Sequence, residues 1–161
     1  MMTHIHKNDP LQPHAHEPNF EPPTEDPTIR VEWGTEDFHL LGLAELQGFP
    51  PTTVENCFIV STGHGTSGPF AFTGAQLLDV VRRFAGDVWS SVEVISADGF
   101  GNRVMAEELW QPSVAGPILL AYAANGRFLT RQQGLVRLIV PSERDDALRQ
   151  VKWISVLRIR P

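Results

Sequence analysis

Short segments in which apolar and polar residues alternate recur along most of the chain. Residues 29–33 (Ile-Arg-Val-Glu-Trp) are typical, because a period of two places every second side chain on one face of a half-buried strand. Residues 118–124 form instead a continuous apolar run, which favours a buried strand. Strands are predicted at residues 29–33, 38–41, 52–62, 88–96, 103–105, 118–124, 135–140 and 151–160.

One segment has the helical period instead. Thr73 is a suitable N-cap, Gly86 is a suitable stop, and Arg82 and Arg83 would lie near the negative C-terminal end of the helix dipole. The pattern predicts a helix over residues 73–84, whose apolar stripe is formed by Leu77, Leu78, Val80, Val81 and Phe84.

Two dipeptides predict tight turns. Asp98-Gly99 and Asn125-Gly126 each combine a turn-forming residue with a glycine that accepts positive φ at little cost. Shorter helical turns are predicted at residues 42–47 and 106–109. Many short strands around one clear helix indicate an α+β fold that is mostly β.

Composition divides the chain into a tail and a body. Residues 1–28 hold six of the 13 prolines, four of the six histidines and five carboxylates, with Lys7 as their one base. Such a segment cannot build a core, so we interpret it as a Pro/His-rich N-terminal tail. Residues 29–161 suit a single domain, because the 161-residue chain is long enough to bury one core.

Charge and cysteine content exclude several classes of function. The formal net charge of −6 repels a phosphate backbone, so no nucleic-acid partner is expected. A single cysteine, Cys57, excludes an internal disulfide and a thiolate-rich zinc site. No apolar run approaches the roughly 20 residues of a membrane helix, and the N-terminus does not resemble a secretory signal, so a cytoplasmic location is expected.

Residues 63–68 (Gly-His-Gly-Thr-Ser-Gly) formally match the G-x-G-x-x-G pattern of dinucleotide-binding folds. The context differs, because four residues including Pro69 separate the glycines from the predicted helix and no repeated strand-helix-strand unit is present. We interpret the segment either as a loop whose N–H groups cradle an anionic ligand or as a flexible surface loop.

Ser61, His64 and Asp98 supply the residue types of a hydrolytic triad and are the candidate catalytic residues. The Gly-x-Ser-x-Gly nucleophile elbow that would support a serine hydrolase is absent.

Metal-ligating residue types are few. Histidines 4, 6, 14 and 16 of the tail have no carboxylate or cysteine at fixed spacing, which favours solvated side chains over a metal site. Alternation along residues 52–62 places Val54, Phe58 and Val60 on one face and Cys57 and Ile59 on the other, and a mid-strand Cys57 is interpreted as a buried thiol.

Several segments, read in order, carry a family resemblance. They are Leu43-Ala44-Glu45-Leu46 before Phe49-Pro50, the strand ending at Ser61-Thr62-Gly63, residues 72–81 (Phe-Thr-Gly-Ala-Gln-Leu-Leu-Asp-Val-Val), Asp98-Gly99-Phe100, residues 119–129, residues 134–141 and residues 151–154. From about residue 29 to residue 161 the chain resembles the oxidoreductase molybdopterin-binding domain of the sulfite-oxidase family.

The resemblance implies an α+β, mostly β domain that holds molybdopterin with loops and basic side chains. It implies a cofactor site that includes Ser61, Thr62, Gly63, His64, Arg137, Arg149 and Lys152. It also implies a metal-ligating cysteine at the position that Ser61 occupies. Because a serine alkoxide is a harder ligand than a thiolate, we expect molybdopterin as the cofactor, no metal-ligating residue and no molybdenum held in the usual way.

Besides a structural subunit whose long Pro-rich tail wraps a neighbour, two readings of function stay open. The first is a molybdopterin-binding oxidoreductase-family domain in which metal-centred catalysis has been lost. The second is a cofactor-free descendant that binds a small anion or a protein partner, or that performs acid–base chemistry with His64. A protein partner would be contacted by the N-terminal tail.

Overall fold

The computed structural model describes residues 22–61, 65–142 and 149–161; for residues 59–61 and 65–67 it describes the backbone alone. The strands are β1 (Ile29–Trp33), β2 (Asp37–Leu41), β3 (Pro51–Ser61), β4 (Gly65–Gln76), β5 (Ser91–Ser96), β6 (Gly101–Met105), β7 (Leu119–Ala124), β8 (Arg127–Phe128), β9 (Arg137–Ile139) and β10 (Ile154–Arg160). The helices are α1 (Leu43–Gln47), α2 (Leu77–Ala85) and α3 (Ala106–Trp110).

The strands form two sheets. The first has the order β2-β1-β10-β5-β6, in which β1 and β10 are parallel and the other pairs are antiparallel. The second has the order β3-β4-β7-β8, and β9 also pairs with β7, all antiparallel. The prediction of an α+β fold that is mostly β is therefore confirmed.

The main core joins both sheets and the helices. It contains Val31 and Leu157 of the first sheet, Leu120 of the second, and Val80 and Leu109 of the helices. A second cluster, which includes Leu119, Ala121 and Phe72, lies on the other face of the second sheet. All six residues of β7 are buried, because β7 contributes to both clusters. This explains the continuous apolar run in the sequence.

The helix prediction was wrong at its N-terminal end. Thr73 belongs to β4, and α2 begins at Leu77 after the extended residue Gln76. The apolar stripe of α2 and its end at Gly86 are as predicted. Strand pairing explains why residues 73–76 are extended and not helical, because β4 is hydrogen-bonded on one side to β3 and on the other to β7 up to Gln76.

The predicted loop at residues 63–68 is also shorter than expected. Gly65 to Ser67 continue β4 and pair with Ser61 to Ile59 of β3. A Cβ on Gly68 would lie 2.8 Å from the carbonyl oxygen of Cys57, so the glycine permits close approach of the two strands. The backbone of residues 65–67 is thus hydrogen-bonded within the second sheet and does not form a loop.

Strict alternation fails along β3. Asn56 adopts positive φ (58°), and the register shifts between Val54 and Cys57. The irregularity brings Val54 and Cys57 to the same buried cluster, although alternation placed them on opposite faces. The predicted burial of the Cys57 thiol is confirmed.

Both glycine turns are confirmed. Gly99 joins β5 to β6 with φ of 93°, and Gly126 joins β7 to β8 with φ of 82°. Asn125 also has positive φ (50°), and its side-chain oxygen accepts a hydrogen bond from the N–H of Ala71 at 2.9 Å. The turn is therefore fixed to β4 as well as to its own hairpin.

Candidate functional site

The predicted catalytic residues are distributed over different parts of the fold. The backbone of Ser61 ends β3 in the second sheet, and Thr62, Gly63 and His64 lie outside the described residues. Asp98 lies in the turn between β5 and β6 of the first sheet, where its Oδ1 accepts a hydrogen bond from the N–H of Phe100 at 3.1 Å. The carboxylate of Asp98 therefore stabilises its own turn, and the grouping with Ser61 and His64 stays a prediction.

Arg149 forms an ion pair with Glu108 of α3. Its Nη1 lies 2.5 Å from Oε1 and its Nη2 lies 3.2 Å from Oε2, the fork geometry that makes guanidinium–carboxylate pairs strong. Burial acts to raise the pKa of Glu108, but the hydrogen bonds from Arg149 and from the N–H of Met105 outweigh it and lower the pKa below its ordinary value of 4.5. Arg149 thus links residues near β10 to α3.

Arg137 and Lys152 are brought together by the structure. A Cβ built on Gly134 would lie 3.0 Å from the Cβ of Lys152 and 3.1 Å from the Cγ of Arg137, so both side chains begin against this glycine. Arg137 is 3% exposed on β9, and its Nη1 donates to the carbonyl oxygen of Gln133 at 3.3 Å. Lys152 is half-buried, and its Nζ lies 5.0 Å from the ring centroid of Trp153. We call Arg137, Lys152 and Gly134 the cationic cluster.

Strained backbone surrounds the cationic cluster. Leu135 (φ 57°) and Trp153 (φ 52°) are two of four non-glycine residues with positive φ in the part of the chain that the structure describes. The N–H of Trp153 donates to the carbonyl oxygen of Gly134 at 2.9 Å, so the two strained segments contact each other directly. Strain of this kind costs about 1–3 kcal/mol per residue and is concentrated at functional sites.

Sequence reasoning missed Trp153 and Arg131. The indole Nε1 of Trp153 donates to the carbonyl oxygen of Arg131 at 2.6 Å, which fixes the ring beneath Lys152. Trp153 contributes to the family resemblance only as one of residues 151–154, and no local sequence pattern predicts positive φ at a tryptophan. Arg131 stands in a loop between β8 and β9 with no motif to distinguish it.

A second group of charges lies on the outer face of the first sheet. Arg158 Nε lies 2.9 Å from Glu32 Oε1, and Arg160 Nη2 lies 3.1 Å from Glu93 Oε1. Hydrogen bonds from Arg158 and Arg30 lower the pKa of Glu32, and a hydrogen bond from Arg160 lowers that of Glu93. These charges form a ladder of ion pairs across β1, β10 and β5, which we interpret as stabilising the sheet.

Comparison with known proteins identifies the domain. A family model described as the oxidoreductase molybdopterin binding domain matches residues 19–161. The chain belongs to this family. No curated protein matches the chain.

Among solved structures, the molybdopterin-binding domain is similar to the sulfane dehydrogenase SoxCD from Paracoccus pantotrophus, with a TM-score of 0.66 and 21% sequence identity. The match covers 92% of this chain and 41% of that chain, so this domain spans about two fifths of the length of its structural neighbour. At this identity, the likeness supports the fold.

We tested whether the residues present fit the cofactor that the family binds. Arg137 and Lys152 carry the positive charge that an anionic group such as the phosphate of a pterin requires. The donor set fits a thiolate-ligated metal poorly, because the single cysteine, Cys57, is 6% exposed and its Sγ faces the carbonyl oxygens of Val54 and Glu55 at 3.7 and 3.9 Å. In residues 22–61, 65–142 and 149–161, no three His, Cys, Asp or Glu side chains are grouped to hold a metal ion.

No helix of the described residues is long and apolar enough to cross a membrane.

Proposed function

We propose that this domain binds molybdopterin, or a chemically similar small anion, through Arg137 and Lys152, and that without a protein thiolate it retains no stoichiometric molybdenum. The observation that carries the proposal is that the aliphatic stems of these two basic residues begin against Gly134, beside two residues with positive φ, Leu135 and Trp153. Family membership supplies the ligand class.

The two cations differ in burial, which suggests different roles. The buried guanidinium of Arg137 supplies a planar, permanently charged donor whose orientation is set by its bond to Gln133. The half-buried ammonium of Lys152 supplies a compact charge nearer to solvent. A phosphate that contacted both would gain charge-assisted hydrogen bonds of roughly 1.5–3 kcal/mol each.

The metal part of the proposal rests on Cys57 and Ser61. The family resemblance implies a cysteine ligand at the position of Ser61, and this chain has no other thiol than Cys57. Cys57 is packed with Val54 and Phe72 in the second hydrophobic cluster, so its thiol is enclosed by the core and is not open to a metal ion.

Titration of inorganic phosphate and of a pterin into wild-type protein and Lys152→Gln tests the proposal. We expect the substitution to weaken binding roughly ten-fold or more, the equivalent of one charge-assisted hydrogen bond. Arg137→Ala should weaken binding at least as much, and its thermal unfolding must be checked because Arg137 is buried.

Arg127→Gln on β8 is the matched control, because it removes the same charge from an exposed position. Equal binding by wild type and Lys152→Gln would refute the assignment. In that case the reading as a cofactor-free module that binds a partner would be favoured.

A further inference from the structure

The side chain of Arg131 holds the segment that precedes β1. Its Nη2 donates to the carbonyl oxygen of Pro22 at 3.1 Å, and its Nε donates to that of Thr24 at 3.3 Å. Its Nη1 lies 3.7 Å from Oε1 of Glu25, an exposed ion pair that contributes little. Pro22 is buried, so this end of the segment packs against the body of the domain. We call residues 22–25 the strap.

The backbone of Arg131 faces the cationic cluster. Its carbonyl oxygen accepts hydrogen bonds from the indole Nε1 of Trp153 at 2.6 Å and from the N–H of Gly134 at 3.2 Å. Nζ of Lys152 lies 5.0 Å from the ring centroid of Trp153, and the aliphatic stems of Lys152 and Arg137 both begin against Gly134. Arg131 therefore connects two parts of the domain. Its side chain binds the strap, and its carbonyl group binds residues of the cationic cluster and its surroundings.

Two local turns join the strap to β1. The N–H of Asp26 donates to Oγ1 of Thr24 at 3.0 Å, and the N–H of Thr28 donates to Oδ1 of Asp26 at 2.8 Å. The carbonyl groups of Pro22 and Thr24, just before these turns, both lie within hydrogen-bond distance of the Arg131 guanidinium. The guanidinium fork can then contact both at once, which a flexible segment would not allow.

We propose that Arg131 is a positioning residue for the anion site: the strap fixes Arg131, and Arg131 fixes Trp153 and Gly134 in the strained arrangement that brings Lys152 and Arg137 together. This inference rests on the proposed anion binding at the cluster. Its physical basis is that positive φ at Trp153 and Leu135 persists only where surrounding contacts hold it. Without the strap, the loop that carries Arg131 would lose three of its contacts to the rest of the chain.

The test compares Arg131→Gln and Arg131→Lys with wild type in the full chain. Arg131→Lys keeps the positive charge but not the fork, so it separates positioning from simple attraction of the anion. Arg127→Gln, four residues earlier, is the control for loss of charge. Two quantities are measured: hydrogen exchange of the Trp153 indole N–H, assigned by its absence in Trp153→Phe, and the dissociation constant for inorganic phosphate.

We expect both Arg131 variants to exchange the Trp153 indole proton faster and to bind phosphate about five-fold more weakly, the equivalent of one neutral hydrogen bond. Arg127→Gln should change neither quantity. Wild-type phosphate affinity in Arg131→Lys, or unchanged indole exchange in both variants, would overturn the inference. If wild type itself binds no phosphate, the proposed function fails, and indole exchange alone decides whether Arg131 positions Trp153.

Discussion

A methyl group at Gly74 should disrupt the centre of the second sheet. Gly74 lies in β4 where the register with β7 shifts, and a Cβ built there would lie 2.0 Å from the carbonyl oxygen of Leu120 and 2.6 Å from Cα of Ala121. Both atoms belong to backbone, so no side-chain rotation can relieve the overlap. Gly74→Ala must push the two strands apart.

The expected cost follows from two contributions. Forcing an extra carbon into a packed interior typically costs 1–3 kcal/mol. Separating β4 from β7 also weakens the ladder hydrogen bonds on either side of Gly74, each with a net value of about 1 kcal/mol. We therefore expect Gly74→Ala to lower the free energy of unfolding by about 3 kcal/mol or more, which would lower Tm by about 10 °C in a domain of this size.

Urea unfolding followed by tryptophan fluorescence measures the change. Gly42→Ala is the matched control, because a Cβ on Gly42 meets no atom within 4 Å and its φ is −82°. Gly42 is the N-cap of α1, where alanine is less favourable than glycine, so the control should lower the free energy of unfolding by about 1 kcal/mol or less. If the two variants lost the same small amount of stability, the close approach of β4 and β7 at Gly74 would be refuted.

Three further predictions concern a turn, an ion pair and the thiol. Gly126→Val should lose about 1–2 kcal/mol in chemical denaturation, because Gly126 has φ of 82° and a β-branched residue strongly disfavours that region; an unchanged midpoint would contradict the turn. Glu108→Gln should be less stable than wild type by roughly 1.5 kcal/mol at pH 7. Because folding lowers the pKa of Glu108 below 4.5, the stability difference should be full above that pH and should vanish as the pH falls through the folded-state value; a difference independent of pH would exclude the ion pair with Arg149. Cys57, buried at 6% exposure, should react with a thiol reagent only as fast as the protein unfolds, and rapid reaction in native buffer would contradict its burial.

The sequence pattern predicted those parts of the fold that depend on residues close together in the chain. Alternation gave the bounds of β1, and the glycine turns at Gly99 and Gly126 have the expected positive φ. The apolar run of β7 indicated burial because both of its faces contact hydrophobic clusters. In each case the residues that decide the structure are neighbours in the sequence.

The sequence could not predict features that depend on distant contacts. Gly68 and Pro69 look like strand breakers, but they lie inside β4 because β3 pairs with Ser67 before them and with Phe70 after them. The contact of Arg131 with Pro22 joins residues 109 positions apart. Trp153 accepts positive φ because Gly134, Ala97 and Arg131 bind its backbone and ring.

The residues of the candidate site were chosen from the family resemblance, and their role as a site stays a prediction. Arg137 and Lys152 were named from the family resemblance, and the structure places them together at Gly134. Arg149 was named on the same basis, and the structure shows its guanidinium paired with Glu108. Resemblance transfers residue types along the sequence, but the partner of each long cationic side chain depends on which carboxylate the fold brings within reach.

The molybdenum and pterin content of protein purified from a host that makes the cofactor tests the central claim most directly. We predict that wild-type protein retains pterin, that Lys152→Gln loses most of it, and that molybdenum stays far below one atom per chain. One molybdenum per chain would contradict the account, because it would require ligation by Ser61 or by the pterin alone.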